Sequence, residues 1–381
     1  MAQRRPLPMG ISDFKKIREN GCYYVDKTLI IKELLESRSE VVLLPRPRRF
    51  GKTLTLSMLR YFFEKSSDSR AALFEKLAIA QHPEIMKHQG HYPVIFFTFK
   101  EAKNNSWESC YAKLAEVMSH VYKEHHYLLN ASFFTHQERD DFNAILEKKA
   151  QLTVLSSSLK NLSSYLEQYH EVKPIVLIDE YDAPVHSGYE HGYYDKIIDF
   201  IRSFLGAGLK DNIALNFCVI TGILRIAKES IFSGLNNVVV YSLIHNKYAE
   251  SFGFTQNEVD ELLKVYDLIE LSDEIKRWYN GYTIGDNTEI YNPWSIINFV
   301  NNRELAPYWL NTSDNVLIKK LVTQSPPEVK QEFELLLTGH VIEKKLSESI
   351  VLTSLEREEG TLWSLLLQTG YLSCKEIFTN V

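Results

Sequence analysis

At 381 residues the chain exceeds the usual size of one domain, so a core domain followed by a second unit is expected. Apolar residues at 45% and charged residues at 24% describe an ordinary globular protein and exclude a disordered or fibrous one. A formal net charge of -6, from 43 basic against 49 acidic residues, argues against a broad nucleic-acid-binding face and leaves room only for a local basic patch.

Taken in chain order, Asp26-Lys27-Thr28 precedes an amphipathic helix over 29–35, and Asp26 reads as its N-cap. Short apolar, β-branched runs follow at 41–44, 94–99, 175–178, 215–220 and 238–241. Such unbroken runs suit strands buried on both faces. Helical periodicity fills the intervals, at 107–122, 141–149, 157–169 and 194–204. Strands alternating with helices imply βαβ units and an α/β fold with a parallel sheet. Beyond residue 246 the character changes. Helices are expected over 255–265 and 272–279, then a glycine-containing turn over 280–285, and helical periodicity dominates after Pro293. The boundary is therefore placed near 246, dividing the chain into residues 1–246 and a mainly helical unit, 247–381. The last residues, 370–378, read as a turn entering an apolar strand.

The phosphate chemistry is written into the first strand's exit. Pro45-Arg46-Pro47-Arg48-Arg49-Phe50-Gly51-Lys52-Thr53-Leu54 runs from strand through loop to helix start, and its end matches the second half of G-x-x-x-x-G-K-[ST]. A tight loop there aims successive backbone N–H groups at phosphates, and the helix N-terminus adds its positive end. Arg49, Phe50, Gly51, Lys52, Thr53 and Leu54 are the candidate nucleotide-binding residues. Lys52 reaches the β- and γ-phosphates, and the Thr53 hydroxyl ligates Mg²⁺. The first glycine of the pattern is replaced by Arg46, and Pro47 contributes no N–H. Arg46, Arg48 and Arg49 either add charge near the phosphates or are solvated loop arginines.

The run 175–178 ends in Asp179-Glu180, the Walker B pattern. Asp179 is the candidate second metal residue, and Glu180 the base that polarises the attacking water. Asp182 reads as a cap or surface acid. The strand run at 94–99 intervenes in the chain between the Lys52 loop and Asp179. Together with Glu180, it marks the additional-strand, catalytic-glutamate type of P-loop NTPase. The next strand ends at Thr221-Gly222, where a polar sensor of the γ-phosphate belongs, and Thr221 or Arg225 is the candidate.

With these motifs in hand, the sequence resembles the bacterial AAA-ATPase-like proteins, whose C-terminal region often belongs to the PD-(D/E)xK nuclease superfamily. The resemblance rests on Leu7-Pro8-Met9-Gly10-Ile11, Tyr23-Tyr24-Val25-Asp26-Lys27-Thr28, the loop 46–53, Leu177-Ile178-Asp179-Glu180-Tyr181-Asp182 and the stretch 221–237. Trp278-Tyr279-Asn280-Gly281-Tyr282 and Tyr291-Asn292-Pro293 complete it. It covers roughly residues 7–300 closely, and in this family the missing first glycine is usual. The resemblance implies ATP and Mg²⁺ as cofactors and ATP hydrolysis as the activity. The nuclease core of the family would follow the 369–372 stretch, so no nuclease activity is expected from this chain.

The four cysteines, Cys22, Cys110, Cys218 and Cys374, show no C-x-x-C pair or zinc spacing, which fits a reducing compartment. No apolar stretch of signal-peptide length follows Met1, and no uncharged run approaches a bilayer span. The expectation is a cytoplasmic Mg-dependent ATPase whose hydrolysis moves the C-terminal unit. Its alternative is a nucleotide-gated binding module with little turnover. A nucleic-acid or protein partner and a homo-oligomer both stay open.

Overall fold

Five of the apolar runs fold into one parallel sheet. The computed structural model describes residues 4–226, 231–232, 235–286, 288–310, 316–350, 352–355 and 359–376. In it β1 (Val41–Pro45), β2 (Val94–Thr98), β3 (Ile175–Asp179), β4 (Phe217–Gly222) and β5 (Val238–Val240) lie in the order β2-β3-β4-β1-β5. Every residue of β1, β3 and β4 is buried, the two-sided burial for which continuous β-branched and apolar runs are suited. Thr98 stands opposite Asp179, and Ile178 opposite Ile220. The strand at 94–99 precedes β3 in the chain, but in the sheet it takes the outer edge. The strand lying between β1 and β3 is β4, which makes neighbours of Asp179 and Thr221.

The described residues cluster into two compact units. The first holds the sheet and comprises those within 1–44, 51–222 and 229–241; the second comprises those within 45–50, 223–228 and 242–381. Helices of the first unit are α1 (Phe14–Glu19), α2 (Ile30–Ser37), α3 (Lys52–Phe63), α4 (Pro83–Met86), α5 (Trp107–Glu124), α6 (His136–Leu146), α7 (Leu152–His170), α8 (Ala183–His191) and α9 (Tyr194–Leu209). Leu155, Leu159, Leu162 and Leu166 recur at helical spacing along α7 and are fully buried. A Cβ on Gly208 of α9 would lie 2.4 Å from Leu159 Cδ2, so this close helix approach requires glycine.

Local chemistry corrects two expectations here. The helix expected over 141–149 starts at His136, because Thr135 and Glu138 form a capping box, and it ends at Leu146. Asp26 does not cap α2, whose N-cap is Leu29. Its carboxylate instead accepts from the Thr28 backbone N–H at 2.9 Å and hydroxyl at 2.6 Å, and from Ala78 N–H at 2.6 Å.

The second unit is built on α10 (Gln256–Val265), α11 (Ser272–Tyr279), α12 (Pro293–Asn302), α13 (Val316–Gln324), α14 (Pro327–Leu337) and α15 (Glu359–Thr369). It also contains a small antiparallel sheet, β6 (Phe254–Thr255), β8 (Thr288–Tyr291) and β7 (Tyr282–Ile284), in that order. Part of the expected turn over 280–285 is therefore strand β7. The strand expected at the end of the chain is absent over residues 371–376, while Ile377 and Phe378 lie outside the described residues. So do 227–230 and 233–234 of the family-like stretch. Among the described residues no helix is long and apolar enough to cross a membrane.

Candidate functional site

The loop leaving β1 turns into α3 through Gly51, whose φ of 85° lies in the left-handed region that glycine alone enters without strain. A Cβ at Gly51 would meet nothing within 4 Å, so the backbone faces open space there. No side chain caps the N-terminus of α3 and its first turn carries no acid. The first-turn N–H groups of a helix, together with its dipole, make such an end a ready anion site. Lys52 and Thr53 occupy that first turn, and Lys52 is only 6% exposed.

On β3 and β4 the site continues within the first unit. Asp179 is fully buried, and both carboxylate oxygens are engaged by hydroxyls. Thr53 Oγ1 donates to Oδ2 at 2.7 Å, and Thr221 Oγ1 donates to Oδ1 at 2.8 Å. Three residues separated by up to 168 positions in sequence thus meet at the carboxyl end of the strands, the edge where open parallel sheets bind ligands. Hydroxyl and carboxylate oxygens form a hard donor set of the kind that suits Mg²⁺, which takes one or two protein oxygens alongside phosphates and water.

Glu180 follows with φ 50°, a conformation that costs a non-glycine residue roughly 1–2 kcal/mol and is enriched at functional sites. The turn is held by Tyr181 N–H donating to the Thr221 carbonyl at 3.1 Å and Ala183 N–H donating to the Glu180 carbonyl at 3.1 Å. Lys103 Nζ lies 4.0 Å from the Glu180 carboxylate. Asp182 is not a surface acid. It occupies the N-cap position of α8 without a side-chain cap bond, is 1% exposed, and lies 3.3 Å from His186 Nε2.

The arginines before Gly51 separate by environment. Arg46 is not solvated. It is fully buried, donates to the carbonyls of Pro45 at 2.8 Å and Tyr248 at 3.0 Å, and sits over the Phe252 ring. Burial lowers its pKa to about 10, which still leaves it a cation at neutral pH. Arg49, exposed and with φ 67°, stacks 4.5 Å over Trp294. Phe50 is buried with its ring edge on Tyr282. Leu54 lies on the first turn of α3. Arg225, one of the two candidate sensors, pairs with Glu348 at 3.6 Å, and His245 approaches the same carboxylate at 3.8 Å.

Two features went unread in the sequence. Lys103 beside Glu180 carries no local signal. Asn292 announces a helix start through Asn-Pro, but nothing nearby shows that its amide also donates to the Arg48 carbonyl at 3.2 Å. The Trp278-to-Tyr282 motif and Asn292 line a cleft of about 310 Å³ in the second unit, completed by Tyr308, Trp309 and Tyr371.

A loop ending in Gly-Lys-Thr and a buried Asp at the carboxyl edge of a parallel sheet define a P-loop-like α/β protein. The chain belongs to the predicted AAA-ATPase family, whose model matches residues 8–232. It is also similar to a protein of Azotobacter chroococcum mcd 1 described as an uncharacterized protein in the vnfD 5′ region, 27% identical over 381 residues. That match covers 98% of this chain and 65% of the relative, so the chain spans about two thirds of the relative's length. The family suggests ATP binding.

Proposed function

We propose that this chain binds Mg-ATP at the carboxyl edge of the first unit's sheet and hydrolyses it. The hydrogen-bonded trio Thr53–Asp179–Thr221 carries this reading, because it joins the helix that follows the Gly-Lys-Thr turn to the acidic strand end in one buried cluster. Backbone N–H groups from Arg49 to Leu54 and the Lys52 ammonium hold the phosphates. Thr53 and Asp179 hold Mg²⁺, which when bound neutralises charge on the phosphate oxygens. Glu180 takes a proton from the attacking water. Thr221, which shares the buried cluster with Asp179, is the preferred γ-phosphate sensor, and Arg225 is the second candidate. We assign the ATPase domain to residues 1–246 and the coupled, mainly helical unit to 247–381, in a cytoplasmic protein of the additional-strand, catalytic-glutamate type.

A nucleotide-gated module with slow turnover is the second reading. It is favoured by Lys103, which at 4.0 Å offers the Glu180 carboxylate a partner other than water. Phosphate release with Mg²⁺, measured with and without DNA, separates the two. Calorimetric titration of Lys52→Ala tests the site itself: removing the ammonium should abolish or greatly weaken ATP binding, and unchanged affinity would overturn the assignment.

A further inference from the structure

A glycine-rich phosphate loop takes its shape from its own backbone freedom. This one, with Arg46 and Pro47 at its entry and Arg49 in the left-handed region, cannot. A non-glycine residue at φ 67° persists only where surrounding contacts over-determine it. Those contacts belong to the second unit, with which residues 45–50 cluster. Arg46 is anchored on the Tyr248 carbonyl, and Gly253 N–H donates to the Phe50 carbonyl at 3.2 Å. Arg49 is stacked on Trp294, and the Phe50 ring meets Tyr282 edge-to-face.

Asn292 is the most informative of these contacts. It is 2% exposed and serves two purposes with one carboxamide. Its Oδ1 accepts from the N–H groups of Trp294 at 3.0 Å and Ser295 at 3.4 Å, which caps α12, while its Nδ2 donates to the Arg48 carbonyl. A helix N-cap accepts Asn, Asp or Ser about equally. Only the donating amide distinguishes asparagine from aspartate, and serine is too short to reach, so the loop and not the helix specifies this residue type. The Arg48 carbonyl and the Arg49 N–H are opposite ends of one trans peptide plane. Holding the carbonyl on Asn292 therefore aims the Arg49 N–H the other way.

We infer that Asn292 is a positioning residue for the phosphate loop: by fixing the Arg48–Arg49 peptide it presets the amides that enter Gly51-Lys52-Thr53. This gives the Tyr-Asn-Pro motif a role, and it rests on the Mg-ATP reading above.

The test uses the full chain with Asn292→Ser and Asn292→Asp. Both keep the α12 cap and lose the donor, and the aspartate also sets a carboxylate against the Arg48 carbonyl. We expect Mg-ADP and Mg-ATP affinity to fall about tenfold in Asn292→Ser and further in Asn292→Asp. Amide hydrogen exchange at residues 48–53 should accelerate in nucleotide-free Asn292→Ser, whose thermal midpoint stays close to wild type. If wild type binds nucleotide, Lys52→Ala does not, and both Asn292 variants bind like wild type with unchanged loop exchange, the positioning role is wrong. If wild type binds no nucleotide, the Mg-ATP reading fails. Loop exchange in Asn292→Ser then still decides the clamp, and no acceleration overturns it.

Discussion

Replacing Thr221 by valine removes one hydroxyl and little else. Valine keeps the branched shape inside β4, where Thr221 is fully buried and donates to Asp179 Oδ1 at 2.8 Å. Hydrogen bonds to charged groups contribute roughly 1.5–3 kcal/mol, and loss of the donor leaves one buried carboxylate oxygen short of a partner. The upper half of that range is expected, because Thr53 continues to serve only the other oxygen. At roughly 2–4 °C per kcal/mol for a domain of this size, the first unit's melting midpoint should drop by about 5–10 °C. Scanning calorimetry without nucleotide reads the shift, and where the units melt separately it must fall on the transition of the first. Thr221→Ser retains the donor and should hold Mg-ATP affinity near wild type, whereas Thr221→Val should lower it. A Thr221→Val protein within about 0.5 kcal/mol of wild type, the scatter of neutral substitutions, would refute the claim that this hydroxyl supports Asp179.

Glu180→Gln should retain ATP affinity and suppress turnover, since shape is kept and the proton acceptor is lost; phosphate release at the wild-type rate would remove Glu180 from the catalytic role. Gly222→Ala should destabilise the first unit, because its Cβ would come 2.7 Å from Asp182 Oδ1 and 2.8 Å from the Tyr181 ring, and urea unfolding measures the loss. His125, at the C-terminal end of α5, has its pKa lowered from 6.5 to about 4, chiefly by burial, so the fold holds it neutral. Below pH 6.5 the unfolded chain takes up a proton that the folded one does not, so stability is lost as pH falls from 6.5 toward 4, by up to roughly 3 kcal/mol. His125→Gln should flatten that part of the pH–stability curve, and an unchanged slope would show that another group carries it.

Much of the fold was readable because its signals are local. Unbroken apolar runs at 41–44 and 175–178 need burial on both faces, which a covered parallel sheet supplies. Helix starts were harder. The capping box at Thr135 and Glu138 begins α6 ahead of its apolar periodicity, and β7 was hidden in a stretch whose Asn-Gly reads as turn. Of the candidate site, Gly51, Lys52, Thr53, Asp179 and Glu180 stood out because each lies at the junction of a strand with a loop or helix. The environments of Arg46 and Asp182 did not. An isolated arginine or aspartate is read as exposed, since its charge favours water, and only the surrounding packing shows it buried with partners.

By itself the sequence determined the strand and helix runs and the order of chemistry-bearing turns, because hydrophobic period, capping and loop residues act over a few positions. Only the tertiary structure decided that β4, and not β2, lies between β1 and β3, and so brings Thr221 to Asp179. It alone drew residues 45–50 into the second unit and set Asn292 on the Arg48 carbonyl. Strand order and long-range hydrogen bonds follow from how whole faces bury against one another, and no window of neighbouring residues contains that balance.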